Sequence, residues 1–401
     1  MQRKTTNKLN LLALRRQYTN PYELYDTLRE RDCIYFDETS QCWLVTGHNA
    51  TTLMLDDPRF LSSLGSAANG SSTQMSSVSR QMLFMDGEHH QHAQDVMLRP
   101  LAQMVKQMPS DIRIFARDAI KAVQAKRDMD VVNEFASPIS LFAIAQVLGM
   151  PTHDKQQLRQ LEHWSDVFGD VTSGYFHSEM QDIKNLEEYF RDLIGEKKRH
   201  PSDDLLSAFA QAENIFPEEE DIVANCMMVF AAGRITTKKL LGNGISLLMP
   251  RWKEFRAEAQ ANPRFIKQLG EELLRRVTPT RYLIREASED IDLSSLFAGN
   301  HLIRRGQRML LFLEAANHDP SLFSQPASFD PHRRPNKHIA FGYGPHQCPG
   351  ATLARVEIQV ALEELFSLSD IRPKPYTTPA WNPNPNLGGF VSNPISFSLP
   401  Q

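Results

Sequence analysis

The chain has 401 residues and a mass of 45.7 kDa, with 41% hydrophobic and 23% charged residues. That balance belongs to a folded globular protein and excludes a disordered, collagen-like or disulfide-stapled chain. With 44 basic and 48 acidic residues the net charge is -4, which argues against a nucleic-acid partner. Mean hydropathy is -0.40. The most apolar runs, 226–233 and 309–313, fall far short of the ~20 apolar residues that a membrane span needs, so no membrane partner is expected.

Residues 1–17 are basic, with no acid before Glu23. Their apolar core, Leu11 to Leu14, is shorter than the ~7–15 residues of a secretory signal, so a first helix of a cytoplasmic protein is expected. A helix over 21–31 and a β-prone piece over 42–45 follow, and then a Ser- and Gly-rich surface loop over 61–78. From about residue 88 to 267 the pattern is almost wholly helical, with Pro at boundaries except for Pro138. Within it, Pro217 and the acids Glu218 to Asp221 open one long helix that stops before Pro250. Thirty or so residues at 1.5 Å each give roughly 45 Å, enough to cross the molecule. Gly233, Gly242 and Gly244 lie inside that helix and mark places where something approaches its backbone. After Arg276 short β-prone pieces (282–284, 301–303) alternate with turns, and the last stretch carries two more, 390–391 and 395–399. No repeat and no composition break divides the chain. A single domain over 1–401, mainly α with minor β, is expected.

Cys33, Cys42, Cys226 and Cys348 share no CxxC spacing, which points to a reducing compartment and to cysteines that act alone. Cys348 stands apart. It closes the run Phe341-Gly-Tyr-Gly-Pro-His-Gln-Cys348-Pro-Gly350, just ahead of an amphipathic segment over 351–366. Two glycines let that loop lie flat, and a thiol at a helix start meets N–H groups and a dipole that favour the thiolate. A soft thiolate with one open side suits iron in a porphyrin.

This run resembles the haem-binding loop of the cytochrome P450 family, F-G-x-G-x-(H/R)-x-C-x-G, at Phe341, Gly342, Gly344, His346, Cys348 and Gly350. Asp56 to Phe60, Pro201 to Leu206 and Asn317 to Pro320 resemble early, middle and late segments of the same family. The resemblance implies a triangular helical prism with small sheets, holding haem b between the long helix and the helix after Cys348. By the same resemblance Cys348 is the iron ligand, Phe341, Gly342 and Gly350 line the haem, and His90, Arg285, His338 and His346 contact its propionates. A zinc site at His89, His90 and His92 is the alternative reading of that histidine cluster. Glu272 and Arg275 match the family's E-x-x-R brace. At Pro326-Ala327-Ser328-Phe329, however, Ser328 stands where the family often has arginine, which leaves Arg333 or Arg334 to take its place.

On the long helix, Ala232 to Thr237 resembles A-G-x-(D/E)-T-T. The resemblance implies that Gly233 leaves room over the iron. Thr236, with Thr237 beside it, is expected to bond back to an i−4 carbonyl and open a local bulge. The proton-relaying acid is replaced by Ile235. Arg234, Ile235 and Arg281 are the candidate substrate contacts, with an arginine clamping a carboxylate. The family implies a monooxygenase that uses dioxygen and electrons from a ferredoxin- or flavodoxin-type partner. That partner is expected to dock near Arg99, Arg333, Arg334, Lys337 and Arg355. Secondary-metabolite tailoring is the expected setting, on a small organic substrate. Residue Ile235 also opens a second reading, peroxide-driven oxidation, coupling or cyclisation. A third is a haem-binding protein without catalysis.

Overall fold

Residues 20–62, 76–175 and 180–400 are described by the computed structural model. The basic segment 1–17 and most of the Ser-rich loop lie outside them. The helices are α1 (Tyr22–Arg31), α2 (His48–Asp56), α3 (Ser76–Ser79), α4 (Gly87–Met104), α5 (Met108–Val123), α6 (Ser137–Leu148) and α7 (Lys155–Thr172). They continue as α8 (Met180–Arg199), α9 (Leu205–Ala210), α10 (Glu219–Leu248), α11 (Trp252–Ala261), α12 (Arg264–Val277), α13 (Leu313–Ala316) and α14 (Ala351–Leu365). The described chain is mainly α, with strands confined to small sheets.

Helix α10 organises the rest. Glu218 and Asp221 close a capping box at its start, and three acids occupy its first turn, against the positive end of the dipole. Pro250 falls in the 3-10 turn Met249–Arg251 that follows it. Side chains are buried around most of its circumference, as expected for a helix at the centre of a core. It packs against α6, α7, α8, α12 and α14. Its glycines admit neighbouring side chains: a Cβ would meet Ile144 at Gly233 (2.5 Å), Val132 at Gly242 (2.8 Å) and Leu273 at Gly244 (3.1 Å). Pro138 is no exception to the boundary rule. It sits in the first turn of α6, after the π-helical turn Val132–Ala136, whereas Pro100 is the proline inside a helix.

The largest sheet has the order β1-β2-β8-β5-β3, built from β1 (Ile34–Asp37), β2 (Cys42–Val45), β3 (Phe60–Leu61), β5 (Tyr282–Ala287) and β8 (Arg308–Phe312). Its only parallel pair is β2 with β8, which joins the early and late parts of the chain. A three-stranded sheet pairs β4 (Asp128–Asp130), β12 (Pro394–Ser398) and β9 (Asp370–Pro373). Strands β6 (Ile291–Asp292) and β7 (Leu302–Ile303) form a small ladder. The hairpin of β10 (Ala380–Asn382) and β11 (Gly389–Ser392) lies against α10.

Candidate active site

The loop before α14 holds its shape through its own backbone. Gly342 N–H donates to Ile339 O (2.9 Å), Gln347 N–H to Gly344 O (3.0 Å) and Cys348 N–H to Phe341 O (2.9 Å). Gly342 and Gly344 adopt φ of 72° and 71°, the left-handed region that side-chain residues avoid. Gly344 is also pressed against a distant segment, where a Cβ would meet the Leu55 carbonyl oxygen at 2.7 Å and Asp56 Cα at 2.9 Å. Gly350 caps α14, and the N–H groups of Gly350 and Ala351 act on the Cys348 thiol.

The sequence led us to expect a thiolate at this helix start. The structure reverses that balance. Burial pushes the Cys348 thiol up, and the two N–H groups and Arg355 oppose the shift only in part. The residue as a whole is nonetheless exposed. A thiophilic cation bound to the sulfur would take the proton's place.

Beneath the loop lies the brace. Arg275 donates to both oxygens of Glu272 (2.7 and 2.9 Å), and both side chains are fully buried. The remaining N–H groups of Arg275 reach the carbonyls of Asn317, Pro326 and Ser328 at 2.9–3.0 Å. Arg333 supplies the second cation, its Nε 3.4 Å from Glu272. It also donates to the carbonyls of Ser324, Gln325 and Ser328. Ser328 therefore contributes its carbonyl where the family pattern has an arginine side chain. Engaged in this way and largely withdrawn from solvent, Arg333 is not available to a docking partner. Arg355 is paired with Glu271 at 2.7 Å and lies over the Phe341 ring.

His338 is also placed differently from expectation. Its Nε2 is 3.1 Å from Glu271, and its Nδ1 accepts the Ala340 N–H (3.3 Å). Both ring nitrogens are spent inside the protein, which leaves none for a propionate. Burial alone would raise Glu271, but hydrogen bonds from His338 and Arg355 outweigh it and hold the carboxyl at about 2.

His90, His346 and Arg285 are brought together. The two imidazoles stack at 3.9 Å, and His346 Nε2 is 3.2 Å from Asp86. Burial, followed by the nearby His346, lowers His90 to about 4. Arg285 is buried, donates to Ile284 O (2.8 Å) and Ser62 Oγ (3.4 Å), and makes no ion pair among the described residues. Burial draws it down to about 10. A guanidinium in that state is matched by an added anion. The same histidines do not form a zinc site, since His90 is buried against His346 while His89 and His92 are exposed. Among the described residues no group of three or more His, Cys, Asp or Glu is placed to hold a metal ion.

The middle of α10 divides by face. Thr236 Oγ1 donates to Ala232 O (2.8 Å), as an i−4 back-bond, yet α10 stays α-helical throughout and no bulge forms. Ala232 is exposed and Thr236 half-buried, so this side of the helix is open. Gly233 gives up its side-chain space to Ile144, not to the open side. Thr237 is buried. Arg234 lies about 200° around the helix from both Ala232 and Thr236 and faces the other way. It is fully buried, donating to Ser165 Oγ (2.8 Å), Ser137 Oγ (3.3 Å), Glu162 O (2.9 Å) and the Asp166 carboxylate. Lys238 joins the same carboxylate at 2.9 Å. Burial would raise Asp166, but Arg234 and Lys238 hold it near 2. Arg234 is thus a tie between α10 and α7 and not a substrate clamp. Ile235 is buried, its Cδ1 at the place of a Gly169 Cβ (2.4 Å). Arg281 is buried and paired with Glu314 at 3.3 Å, which also accepts from Tyr22 and Tyr25. Asp166, Lys238 and Lys239 were missed from the sequence, although a lysine doublet inside an apolar helix was a visible signal.

A cysteine at a helix start, in a loop shaped by two left-handed glycines and followed by a helix that packs on the long central one, has the features of a haem-thiolate class of site. The Cytochrome P450 family model matches residues 35–400. The biotin biosynthesis cytochrome P450 of Bacillus subtilis (strain 168) is 33% identical over 362 residues, 86% of this chain and 88% of that protein. The mycinamicin VIII C21 methyl hydroxylase of Micromonospora griseorubida is 30% identical over 337 residues, 82% of each chain. Among solved structures, P450BioI in complex with hexadec-9Z-enoic acid ligated acyl carrier protein aligns with a TM-score of 0.85 at 29% identity. That alignment covers 96% of this chain and 100% of that one. The chain belongs to the cytochrome P450 family, whose members bind haem b through a cysteine thiolate and are monooxygenases. The buried Arg285, which makes no ion pair among the described residues, and Cys348 at the start of α14 fit such a dianionic, iron-bearing group. Among the described residues no helix is long and apolar enough to cross a membrane.

Proposed function

We propose that this chain is a monooxygenase for a small organic molecule, with Cys348 as the haem thiolate and a separate ferredoxin- or flavodoxin-type protein as electron donor. The observation that carries the reading is the Cys348 loop itself: a thiol met by the Gly350 and Ala351 N–H groups, in a turn whose left-handed positions 342 and 344 are glycines. Bound haem supplies dioxygen activation and oxygen-atom transfer. The chain's residues do the rest. Arg285, with His90 and His346, would hold the haem carboxylates, while Phe341, Gly342 and Gly350 would line the group beside Cys348. Glu272, Arg275 and Arg333 keep the loop in register. Thr236 presents its hydroxyl on the open face of α10, its proton directed to Ala232 O until a better acceptor arrives. Relatives named for biotin, polyketide and mycinamicin pathways support a place in secondary-metabolite tailoring.

One feature favours a variation. Ile235, in the family's acid position, is packed against Gly169 and can relay no proton. Peroxide-driven oxidation, coupling or cyclisation is therefore the second reading. The test supplies reduced ferredoxin and its reductase, or hydrogen peroxide alone, to wild type and to Cys348→Ser. We expect turnover with ferredoxin, and a thiolate-type carbon monoxide spectrum that the serine variant lacks. Sustained turnover on peroxide alone would favour the second reading. An unchanged spectrum in Cys348→Ser would remove the thiolate assignment.

A further inference from the structure

Among the described residues, Lys238 of α10 is held by Asp166, whereas its neighbour Lys239 makes no side-chain hydrogen bond. Its Nζ is buried and has no hydrogen-bond partner among the described residues. Its stem passes beside the β10–β11 hairpin, with Cγ 3.2 Å from where a Gly389 Cβ would lie. The carboxylates around it are taken. Asp166 is shared by Arg234 and Lys238, Asp170 accepts from Asn384 Nδ2 at 2.6 Å, and Glu314 is held by Arg281 and two tyrosines. The charges facing Lys239 are Lys238 on α10, Asp166 and Asp170 on α7, and Arg281 ahead of β5. An ammonium buried without a counter-ion is costly, and a bound anion removes that cost.

Position decides which anion. Ala232, Thr236 and Lys239 fall at i, i+4 and i+7, one stripe of the helix. Its first two members form the open face where oxidation is proposed. Lysine side chains on a helix lean back over the preceding turn, and Thr236 lies three residues before Lys239, within a lysine's reach. We propose that Lys239 is a specificity residue that receives a carboxylate carried by the substrate, which makes organic acids the preferred substrate class. This rests on the monooxygenase reading above. In the present arrangement the Nζ is sealed between α7, α10 and the hairpin, so acid binding requires that seam to part.

The test uses ferric holoprotein and follows the haem spectrum during titration with octanoate, decanoate and dodecanoate and with their methyl esters. Wild type, Lys239→Met and Lys239→Arg are compared at pH 6 and pH 9. Burial lowers Lys239 to about 7, so its ammonium is present at pH 6 and lost by pH 9, while the carboxylates stay ionised. We expect at least one acid to bind wild type tenfold or more tighter than its ester at pH 6. The preference should shrink at pH 9, persist in Lys239→Arg at both pH values, and vanish in Lys239→Met. An acid-over-ester ratio unchanged in Lys239→Met overturns the proposal, as does failure of every acid to bind while the thiolate-type haem spectrum is intact. Loss of that spectrum from wild type would overturn the haem-site reading instead. Thermal unfolding of the same proteins with and without decanoate gives a second readout, and its midpoint should rise in wild type and Lys239→Arg but not in Lys239→Met.

Discussion

Replacing Lys239 by methionine should stabilise the fold, and by more in acid than in alkali. Burial brings this lysine from 10.5 to about 7. Below pH 7 it is charged in both the folded and the unfolded chain, so the whole cost of burying the charge is present. Between pH 7 and 10.5 only the unfolded chain keeps the proton, and stability climbs with pH. Above 10.5 the cost is gone. At about 1.4 kcal/mol per unit, the cost is roughly 5 kcal/mol at pH 6 and about 2 kcal/mol at pH 9, as upper figures. Methionine has a similar reach and no charge, so Lys239→Met removes both amounts. For a chain this long, 1 kcal/mol moves the unfolding midpoint by about 1–2 °C. The variant should therefore melt some 5–10 °C above wild type at pH 6 and about 2–4 °C above it at pH 9. Circular dichroism melts of the holoproteins, without added acid, measure this. A gain that is equal at the two pH values, or absent at pH 6, would refute a buried, uncompensated ammonium.

Four further substitutions, the last a surface control, probe the loop and its brace. Gly342 and Gly344 share a left-handed φ, but only Gly344 faces backbone at 2.7 Å. Gly342→Ala should cost about 1 kcal/mol and keep haem. Gly344→Ala must also displace the Leu55 segment, and should lose haem and melt markedly lower; equal losses would count against the close approach. Glu272→Gln leaves Arg275 charged and fully buried without its counter-ion, and should cost about 3–5 kcal/mol in urea unfolding. Glu254→Gln, which breaks an exposed pair on α11, should leave the midpoint where it is.

The parts legible in the sequence were those whose chemistry is local. Glycines, a cysteine and a helix start in fixed order define the Cys348 loop without reference to the rest of the chain. Pro217, three acids and Pro250 likewise mark the ends of α10. Partners across the fold were not legible. Arg234 could be placed near the oxygen face by its number, but its direction depends on Asp166, on another helix. A glycine inside a helix announces a close approach without saying of what, and at Gly233 the visitor is Ile144. Arg333 could replace the arginine missing at Ser328 only because the loop folds it back onto Glu272. His338 was matched to a propionate by pattern, whereas Glu271 on α12 claims it.

The contact of Gly344 with Leu55 and Asp56 bears on the order of assembly. The loop that carries Cys348 takes its final shape against a segment near the opposite end of the chain. Contacts of such long separation close late, because the intervening chain must first give up its freedom. During synthesis the early segment waits, exposed, until almost all of the protein has been made. The thiol should thus be among the last elements to reach its working position, and premature termination anywhere before α14 leaves a largely helical product unable to hold pigment.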